Sequence, residues 1–286
     1  MPQLSAFCIA LGKVLLIGGP TASGKSDLAL KKAKTLDGVI INGDSLQVYR
    51  GLEILTAQPS PQERQEVHHH LYGFLDPSQT FSVGKWLPLV TSEIETALKN
   101  NKFPIIVGGT GLYLKSLRDG ISTIPSIDPQ IRKQLKDSQE ENYAELKKVD
   151  PLLAGRLSPQ DRQRTQRGLE VFYGTGKPLS FWQTQKPLPS AYEFETCLLM
   201  PNKQEIEARI ILRLHKMLEE GVLDEISRLR LSCLSSQARK AIGFQEFEAY
   251  LKGETSFEDA FELTLIHTRQ YAKRQLTWFR HQFKKT

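Results

Sequence analysis

The sequence predicts an α/β fold with a parallel sheet whose two faces are covered by helices. Three short apolar runs indicate its strands, and they alternate with helical stretches: KVLLIGG (13–19), GVIINGD (38–44) and FPIIVGG (103–109). Apolar runs without polar alternation are typical of strands that are buried on both faces, as in parallel sheets. Each run ends in glycine or aspartate. We expect a ligand site there, because such sheets bind ligands at the carboxyl ends of their strands.

Further elements complete the predicted core. The stretch WLPLVTSEIETALKNN (86–101) has helical spacing and lies between the second and third strands. The run CLLM (197–200), closed by Pro201, predicts a further strand of the same sheet. Two long helical patterns follow it, at 203–230 and 256–283.

A segment of different composition interrupts this core. From about Gly120 to Glu195 the chain has short polar helical segments and then the proline-rich stretch KPLSFWQTQKPLPS. This pattern predicts a small all-helical insertion domain. We therefore predict a core domain of residues 1–119 and 196–286 and an insertion of residues 120–195.

The composition is that of a globular protein with a modest basic excess. The chain has 286 residues and a formal net charge of +6, and 40% of its residues are hydrophobic. Residues 267–286 include six Lys or Arg and no Asp or Glu. Such a segment is typical of a surface that binds a polyanion such as nucleic acid, or of a solvated helix face. The charge alone does not decide between these two.

The cysteines and the apolar runs exclude some classes of protein. Cys8, Cys197 and Cys233 are far apart and form no CxxC pair, so we expect neither a disulfide framework nor a zinc site. This usage fits a reducing cytoplasm. The chain contains no apolar run near the roughly 18 residues of a membrane span, and the apolar N-terminus lacks the basic start of a signal peptide. We expect a cytoplasmic protein.

A phosphate-binding loop follows the first predicted strand. The motif G-x-x-x-x-G-K-[ST] is formed by Gly19, Gly24, Lys25 and Ser26, and a helical pattern begins near Lys25. In such loops backbone N–H groups and the helix N-terminus bind phosphate oxygens, the lysine neutralises the terminal phosphate, and the hydroxyl ligates Mg²⁺. The sheet is therefore predicted to be P-loop NTPase-like, a class that includes many ATP-binding and other nucleotide-binding proteins. The motif predicts a polyphosphate site without naming the polyphosphate.

Polar residues end the other two predicted strands. In a P-loop enzyme an acid at the position of Asp44 helps to hold Mg²⁺ or accepts a proton. The alternative is that Asp44 caps the next helix. The glycines Gly108, Gly109 and Gly111 let the backbone approach a ligand closely or shape a tight turn. Between them, Thr110 carries a hydroxyl that can reach into the crevice.

Six stretches together resemble the tRNA dimethylallyltransferases, also called tRNA isopentenyltransferases, of the short bacterial type. They run from about Lys13 to Arg280 in the order of that family: GPTASGKS, GDSLQVYRGLEILTAQP, HHHLYGFLDPSQTFS, PIIVGGTGLYLKSL, RGLEVFYGTGKP and AKRQLTWFR. The resemblance implies transfer of a dimethylallyl group from dimethylallyl diphosphate to tRNA. The acceptor is the exocyclic N6 amine of the adenosine 3′ of the anticodon, and diphosphate is released.

The resemblance also implies roles for individual residues. Asp44 matches the general base, and Arg213 is the arginine expected on the leaving diphosphate, with Arg209 as the neighbouring candidate. Lys25 and Thr110 match further catalytic positions, and Ser26 is the expected Mg²⁺ ligand. The diphosphate is expected on the loop residues Gly19, Pro20, Thr21, Ala22, Ser23, Gly24, Lys25 and Ser26.

tRNA contacts are implied at several separate places. The target adenosine must leave the stacked anticodon loop to be modified. The matched positions are Asp44, Ser45, Leu46, Gln47, Thr110, Gln163, Arg164, Thr165, Gln166, Arg167, Lys240, Gly243, Phe244, Lys273, Arg274, Gln275, Thr277, Trp278 and Arg280. In the last segment, basic residues alternate with Trp278 and Phe279, which suits phosphate binding and base stacking. Alternatively, one of these two aromatic residues belongs to the core.

Two positions depart from the family pattern. The family usually reads IGTAKP where this chain has ILTAQP, so that Leu55 replaces a glycine and Gln58 a lysine, while Thr56 remains. Some members carry a C-terminal zinc finger, and no Cys/His pairs occur at the end of this chain. Consecutive histidines such as those of His68–His70 cannot converge on one tetrahedral ion, so we expect no metal there.

Three other functions share part of these features. A P-loop kinase for a small molecule would have the loop, Mg²⁺ and the acid, without needing the insertion or the basic tail. An adenylate isopentenyltransferase would have the loop and the base without the tail. A nucleotide-gated RNA-binding module would bind tRNA without catalysis. Our prediction is a monomeric enzyme that binds tRNA and dimethylallyl diphosphate and no membrane.

Overall fold

The structure is a computed structural model that describes residues 12–135, 139–185 and 190–283. The chain forms two compact units. The first joins the residues up to Arg118 to those from Ser190 onward, and the second extends from Asp119 to Pro189. Cys8 and the basic residues at 284 and 285 lie outside the described part of the chain. Each unit has a hydrophobic core of its own.

A five-stranded parallel sheet forms the centre of the first unit, which confirms the predicted fold class. Its strands are β1 (Lys13–Gly18), β2 (Gly38–Asn42), β3 (His69–His70), β4 (Phe103–Gly108) and β5 (Glu193–Leu198). They are arranged in the order β3-β2-β4-β1-β5, and all pairs are parallel. The three apolar runs that predicted strands are β1, β2 and β4.

The last strand differs from its predicted position. The sequence predicted a strand at 197–200, whereas β5 begins at Glu193 and ends at Leu198, paired along its whole length with β1. It is one of the two edge strands, and its side chains are half-buried or exposed. A strand that is not buried on both faces does not need a continuous apolar run, so its polar first half gave no signal. Its start at Glu193 lies inside the range predicted for the insertion.

Helices α1 (Lys25–Leu36), α3 (Val83–Lys99) and α4 (Gly111–Asp119) cover the sheet. The short helix α2 (Pro61–Glu66) has no buried residue. On one face, Ala29 and Ala33 of α1 pack against alternate residues of β1, β2 and β4. On the other face, Trp86 of α3 is fully buried, and its indole N–H donates to the carbonyl of Asn42 at 2.8 Å. The sheet is thus buried on both sides, as its apolar strands require.

The second unit contains only helices among its described residues. They are α5 (Pro129–Gln134), α6 (Gln139–Val149), α7 (Pro151–Ala154), α8 (Arg162–Thr175) and α9 (Leu179–Thr184). Leu146, Leu153, Leu169 and Val171 are the centre of its core. Buried Asp150 caps α7 by accepting the N–H of Leu153, and its other oxygen accepts the N–H of Ser180.

Four α-helices and one short 3₁₀-helix (Ala238–Lys240) after β5 complete the first unit. The α-helices are α10 (Lys203–Glu219), α11 (Val222–Leu229), α12 (Phe244–Leu251) and α13 (Phe257–Gln282). The helical pattern at 203–230 forms two helices because Gly221, with φ of 90°, separates α10 from α11. Within the described residues, no helix has both the length and the apolar composition that a membrane span requires.

Candidate active site

Three loops at the carboxyl ends of neighbouring strands meet at one point. Gly19 follows β1, Asp44 follows β2 and Gly109 follows β4. A Cβ on Gly109 would lie 3.2 Å from Asp44 Oδ2 and 3.5 Å from the carbonyl oxygen of Gly19. The three strand ends that the sequence singled out are therefore in contact.

The phosphate loop leads directly into α1. Gly24, with φ of 85°, is the residue before the helix, so the N–H groups of the first turn face the loop. The Lys25 ammonium donates to the carbonyl of Pro20 at 2.5 Å. Burial lowers the pKa of Lys25 to about 8, although the nearby carboxylate of Asp44 acts in the opposite direction. A positive charge that is held away from water in this way is prepared to bind an anion.

Two arginines of α10 contact the phosphate loop. Arg213 Nη1 donates to the hydroxyl of Thr21 at 2.8 Å, and Arg209 Nη1 donates to the carbonyl of Ser23 at 3.0 Å. Burial lowers the pKa of Arg213, and the charge of Asp44 opposes that shift. The sequence left the choice between these arginines open, and the structure brings both to the loop. Arg213 is the one that lies close enough to Asp44 for their charges to interact.

Asp44 is held by backbone groups and does not cap a helix. Its Oδ1 accepts the N–H of Leu46 at 3.0 Å, and its Oδ2 accepts the N–H of Gly109 at 3.3 Å. Its own N–H donates to Asn42 Oδ1. Residues 43–60 contain no helix, so the capping alternative is wrong. The carboxylate is fixed in orientation and lines the same cavity as Lys25 and Arg213.

The segment after Asp44 is fixed from two sides. Thr110 Oγ1 accepts the N–H of Ser45 at 3.0 Å, so the predicted catalytic threonine orients this segment. Gln47 Nε2 donates to the carbonyls of Thr56 and Ala57 at 3.0 and 2.8 Å. Leu46 and Gln47 both line the cavity.

The two positions that depart from the family pattern are buried. Leu55 packs against Gly243 and lines the cavity. Gln58 Nε2 donates to the carbonyl of Tyr49 at 2.8 Å, and its Oε1 accepts from Arg64 at 3.2 Å. Position 58 therefore carries an uncharged hydrogen-bonding group, and Arg64 supplies the nearby positive charge.

Polar and apolar side chains line one cavity of about 280 Å³. The phosphate loop, Asp44 and Arg213 are part of its polar lining. Its apolar lining includes Leu55, Ile210, Leu214, Met217 and Ile242. Tyr271, which the sequence analysis missed, also lines it, and burial raises the pKa of its phenol, so that the hydroxyl remains a donor. Its position one turn before Gln275 on α13 was the available signal.

Helix α13 presents two different rows of predicted tRNA-binding residues. Lys273, Arg274, Thr277 and Arg280 are exposed. Gln275 is only 7% exposed, and Phe279 is fully buried in the core. The half-buried ring of Trp278 packs so closely on Gly111 that a Cβ there would lie 2.1 Å from the ring. The glycines after β4 thus allow close approach of α13.

Two further predicted tRNA contacts are buried within their own units. Phe244 is completely buried and packs in the core of the first unit, with Arg239 over its ring. Thr165 is completely buried in the second unit, where it accepts a hydrogen bond from Gln139. Buried side chains cannot reach a nucleic acid without rearrangement, so these two assignments are corrected to structural ones. Gly243 is also buried, at the start of α12.

The remaining predicted tRNA contacts reach solvent. Lys240, Gln163, Arg164 and Arg167 are exposed and Gln166 is half-buried. Arg164 pairs with Asp161 at 2.6 Å, and Arg167 pairs with Glu170 at 3.4 Å. Part of the positive charge on α8 is therefore neutralised within the second unit.

The histidine run has local partners. His69 Nδ1 contacts the carbonyl of Val67, and His70 Nδ1 lies 3.0 Å from Glu93. Within residues 12–135, 139–185 and 190–283, no three His, Cys, Asp or Glu side chains are arranged to hold a metal ion. Cys197 is half-buried and Cys233 is exposed, and both are free thiols.

Comparisons with known proteins agree on one family. The model of the IPP transferase family matches residues 47–282. Over 279 residues the chain is 46% identical to a tRNA dimethylallyltransferase of Bartonella henselae, covering 94% of this chain and 96% of the relative. A tRNA dimethylallyltransferase of Chelativorans sp. is 44% identical over 276 residues, covering 93% and 94%.

Comparison with solved structures agrees with the sequence comparisons. A eukaryotic dimethylallyltransferase, crystallised while acting on tRNA, superposes with a TM-score of 0.82 at 31% identity, covering 94% of this chain and 70% of that one. The tRNA isopentenylpyrophosphate transferase of Bacillus halodurans superposes with a TM-score of 0.66 at 34% identity, covering 94% and 87%.

Proposed function

The chain belongs to the IPP transferase family, and we propose that it transfers a dimethylallyl group from dimethylallyl diphosphate to tRNA. The acceptor is the exocyclic N6 amine of the adenosine 3′ of the anticodon, and diphosphate is released. One observation carries the proposal: a phosphate loop, the cations Lys25 and Arg213, an oriented carboxylate and several apolar side chains line a single cavity. This combination suits a donor with a diphosphate head and a short hydrocarbon tail.

The polar groups of the cavity suit the leaving diphosphate. Negative charge accumulates on its oxygens as the allylic C–O bond breaks, and preorganised cations stabilise that charge. Lys25 and Arg213 supply two such charges, and Thr21 holds the guanidinium in place. The apolar wall formed by Leu55, Leu214 and Met217 would accept the five-carbon group.

The carboxylate of Asp44 suits the role of proton acceptor. An adenine amine is a weak nucleophile because its lone pair is delocalised into the ring. Removal of its proton as the C–N bond forms makes attack feasible. The two backbone N–H groups that hold Asp44 orient the carboxylate and leave each oxygen a further lone pair for the amine proton.

The residues at the loop fit a magnesium ion that arrives with the diphosphate. Magnesium in such sites takes few protein ligands and is bound mainly by phosphate oxygens and water. Ser26, which is exposed at the start of α1 and lines the cavity, would supply its hydroxyl. When bound, the ion neutralises charge on the diphosphate.

The tRNA substrate must present an extruded adenosine to this cavity. The exposed residues Lys273, Arg274 and Arg280 of α13 and Lys240 are the proposed phosphate contacts in the first unit. In the second unit, Gln163, Arg164 and Arg167 extend from α8. We expect the working enzyme to be a monomer. We expect it to act in the cytoplasm.

Mass spectrometry of unmodified tRNA after incubation with dimethylallyl diphosphate and Mg²⁺ tests the proposal. We expect a mass increase of one dimethylallyl group on the adenosine 3′ of the anticodon. Turnover of ATP without prenyl transfer would favour a kinase, and transfer to AMP as efficient as transfer to tRNA would favour an adenylate isopentenyltransferase.

The variant Asp44→Ala separates catalysis from binding. We expect the rate of transfer to fall by roughly 100-fold or more, the scale of a lost general base, while tRNA affinity is retained. Asp76→Asn is a matched control because Asp76 is exposed and bonds to nearby Ser78. Unchanged turnover of Asp44→Ala would contradict the role of Asp44.

A further inference from the structure

The side chain of Gln275 connects two of the three loops of the candidate active site. Its Oε1 accepts the backbone N–H of Thr21 in the phosphate loop at 2.8 Å. Its Nε2 donates to the carbonyl of Gly109, after β4, also at 2.8 Å. Both ends of the amide are therefore hydrogen-bonded to backbone, and the residue is only 7% exposed.

The Gly109 contact leads to the carboxylate. The N–H of Gly109 donates to Asp44 Oδ2, while the carbonyl of the same residue is held by Gln275. A side chain at this position would displace the amide of Gln275, because a Cβ on Gly109 would lie 2.4 Å from Gln275 Nε2. The position of Gln275 thus influences where Gly109, and with it Asp44, is held.

The Thr21 contact leads to the cations. Gln275 holds the backbone of Thr21, and the hydroxyl of the same threonine accepts the hydrogen bond from Arg213. The amide of Gln275 thereby links Arg213, which would bind the leaving diphosphate, to Asp44, which would accept the proton. These contacts join residues that are 254 and 166 positions apart in the chain.

We propose that Gln275 is a positioning residue that fixes the phosphate loop relative to Asp44. The proposal rests on the proposed function, and it replaces the sequence-based expectation that Gln275 contacts tRNA. In-line transfer needs donor, acceptor and base at set distances, and a displacement of about 1 Å lowers a rate by about 100-fold. Glutamine suits the task because its planar amide offers one acceptor and one donor at the distance that the two loops require.

The variant Gln275→Met tests this role, because methionine has a similar length and no strong donor or acceptor. It leaves the N–H of Thr21 and the carbonyl of Gly109 without their partner. We expect the single-turnover rate with saturating substrates to fall about 10- to 100-fold, with tRNA affinity and its salt dependence within about twofold of the wild type. Gln270→Met is the matched control, since Gln270 is an exposed glutamine of the same helix.

The opposite pattern would overturn the proposal. Loss of tRNA affinity at an unchanged single-turnover rate would make Gln275 a tRNA contact, and wild-type behaviour in both assays would give it no role. Circular dichroism checks that the variants fold. If the methionine variant unfolds, Gln275→Ala is used in its place, because the smaller side chain lets water bind to the two backbone groups. A partial loss of rate is then expected, and a wild-type rate would overturn the proposal.

A measurement of diphosphate binding distinguishes failure of the positioning role from failure of the proposed function. If wild-type protein transfers no prenyl group to tRNA, the proposed function fails. The positioning role is then judged by calorimetric titration of inorganic diphosphate. We expect Gln275→Met to weaken this affinity several-fold relative to Gln270→Met, because its phosphate loop is no longer anchored. Equal affinities would reject the positioning role.

Discussion

The guanidinium of Arg213 donates a hydrogen bond of 2.8 Å to the hydroxyl of Thr21, although the two residues are 192 positions apart. Helix α10 thereby contacts the phosphate loop through a half-buried cation. A second arginine of the same helix, Arg209, contacts the carbonyl of Ser23. The first arginine adds charge beside the proposed site of the leaving group, and the second supports the loop backbone.

The difference between these arginines gives a first prediction. Arg213→Ala removes a half-buried positive charge from the lining of the cavity, and we expect kcat to fall by about 10²- to 10³-fold. Arg209→Ala removes a contact to a loop carbonyl, and we expect a smaller effect, mainly on the KM for the prenyl donor. Steady-state kinetics with tRNA and dimethylallyl diphosphate measure both. Equal losses for the two variants would contradict the assignment of Arg213.

A second prediction concerns pH and Lys25. Burial lowers the pKa of this ammonium to about 8, so a growing fraction of ligand-free protein loses the charge above that pH. Because an anion requires the protonated form, we expect the dissociation constant of inorganic diphosphate to rise, by at most about tenfold per pH unit. Calorimetric titrations between pH 7 and 10 test this.

Lys25→Met provides the comparison for this experiment. It has no titrating group at position 25, so its affinity should be weaker at pH 7 and lack the rise that begins near pH 8. Ionisation of diphosphate itself affects both proteins equally. A wild-type profile parallel to that of Lys25→Met would show that Lys25 does not bind the ligand.

A third prediction concerns the exposed basic row of α13. Each phosphate contact that is lost should reduce the log–log salt dependence of tRNA affinity by about 0.7 to 0.9. We expect this change for Lys273→Ala and for Arg280→Ala in filter-binding assays. Lys99→Ala is the control, since Lys99 is exposed at the end of α3. If the slopes of all three variants match the wild type, the row is only a solvated helix face.

A fourth prediction concerns Glu225, whose carboxylate organises the turn beside the cavity. It is 4% exposed and accepts the N–H groups of Ile54 and Leu55 at 2.8 and 2.9 Å. Glu225→Ala leaves both donors without a partner, and we expect a loss of about 2–4 kcal/mol in the free energy of unfolding. Urea denaturation measures it. A loss below about 0.5 kcal/mol would mean that water replaces the carboxylate.

The pH dependence of stability distinguishes the charge of Glu225 from its hydrogen bonds. Burial raises the pKa of Glu225 in the folded protein. Its contribution is therefore fully present below the ordinary glutamate value and declines as pH rises through the folded value. Glu225→Gln removes this titration, so the difference in unfolding free energy between wild type and variant should shrink with rising pH. A constant difference would contradict the raised pKa.

The sequence indicated the sheet and the meeting point of the loops because both depend on local patterns. Apolar runs specify strands buried on two faces, and the carboxyl ends of adjacent parallel strands lie at one edge. Gly19, Asp44 and Gly109 could therefore be placed together before any coordinates. The edge strand β5 and the two-residue strand β3 lack such runs, which explains why one was misplaced and the other not predicted.

Whether a side chain of α13 faces solvent or the core depends on tertiary packing. In α13, Lys273, Arg274, Gln275 and Trp278 belong to one basic and aromatic motif, yet only the first two of these four are exposed. Gln275 turns inward because β1 and β4 leave a backbone donor and a backbone acceptor within reach of its amide. Phe244 was assigned to tRNA through the family resemblance, and its side chain is buried in the core.

The sequence by itself determined the α/β class, the phosphate loop and the acid at the end of β2, since each is encoded by a few consecutive residues. The tertiary structure alone decided which arginines reach the loop, which residues of α13 face solvent, and how Gln275 connects the loop to Asp44. These features join segments separated by more than 150 positions. Contacts of that kind arise only when the core packs, because it is packing that brings distant backbone and side-chain groups to hydrogen-bonding distance.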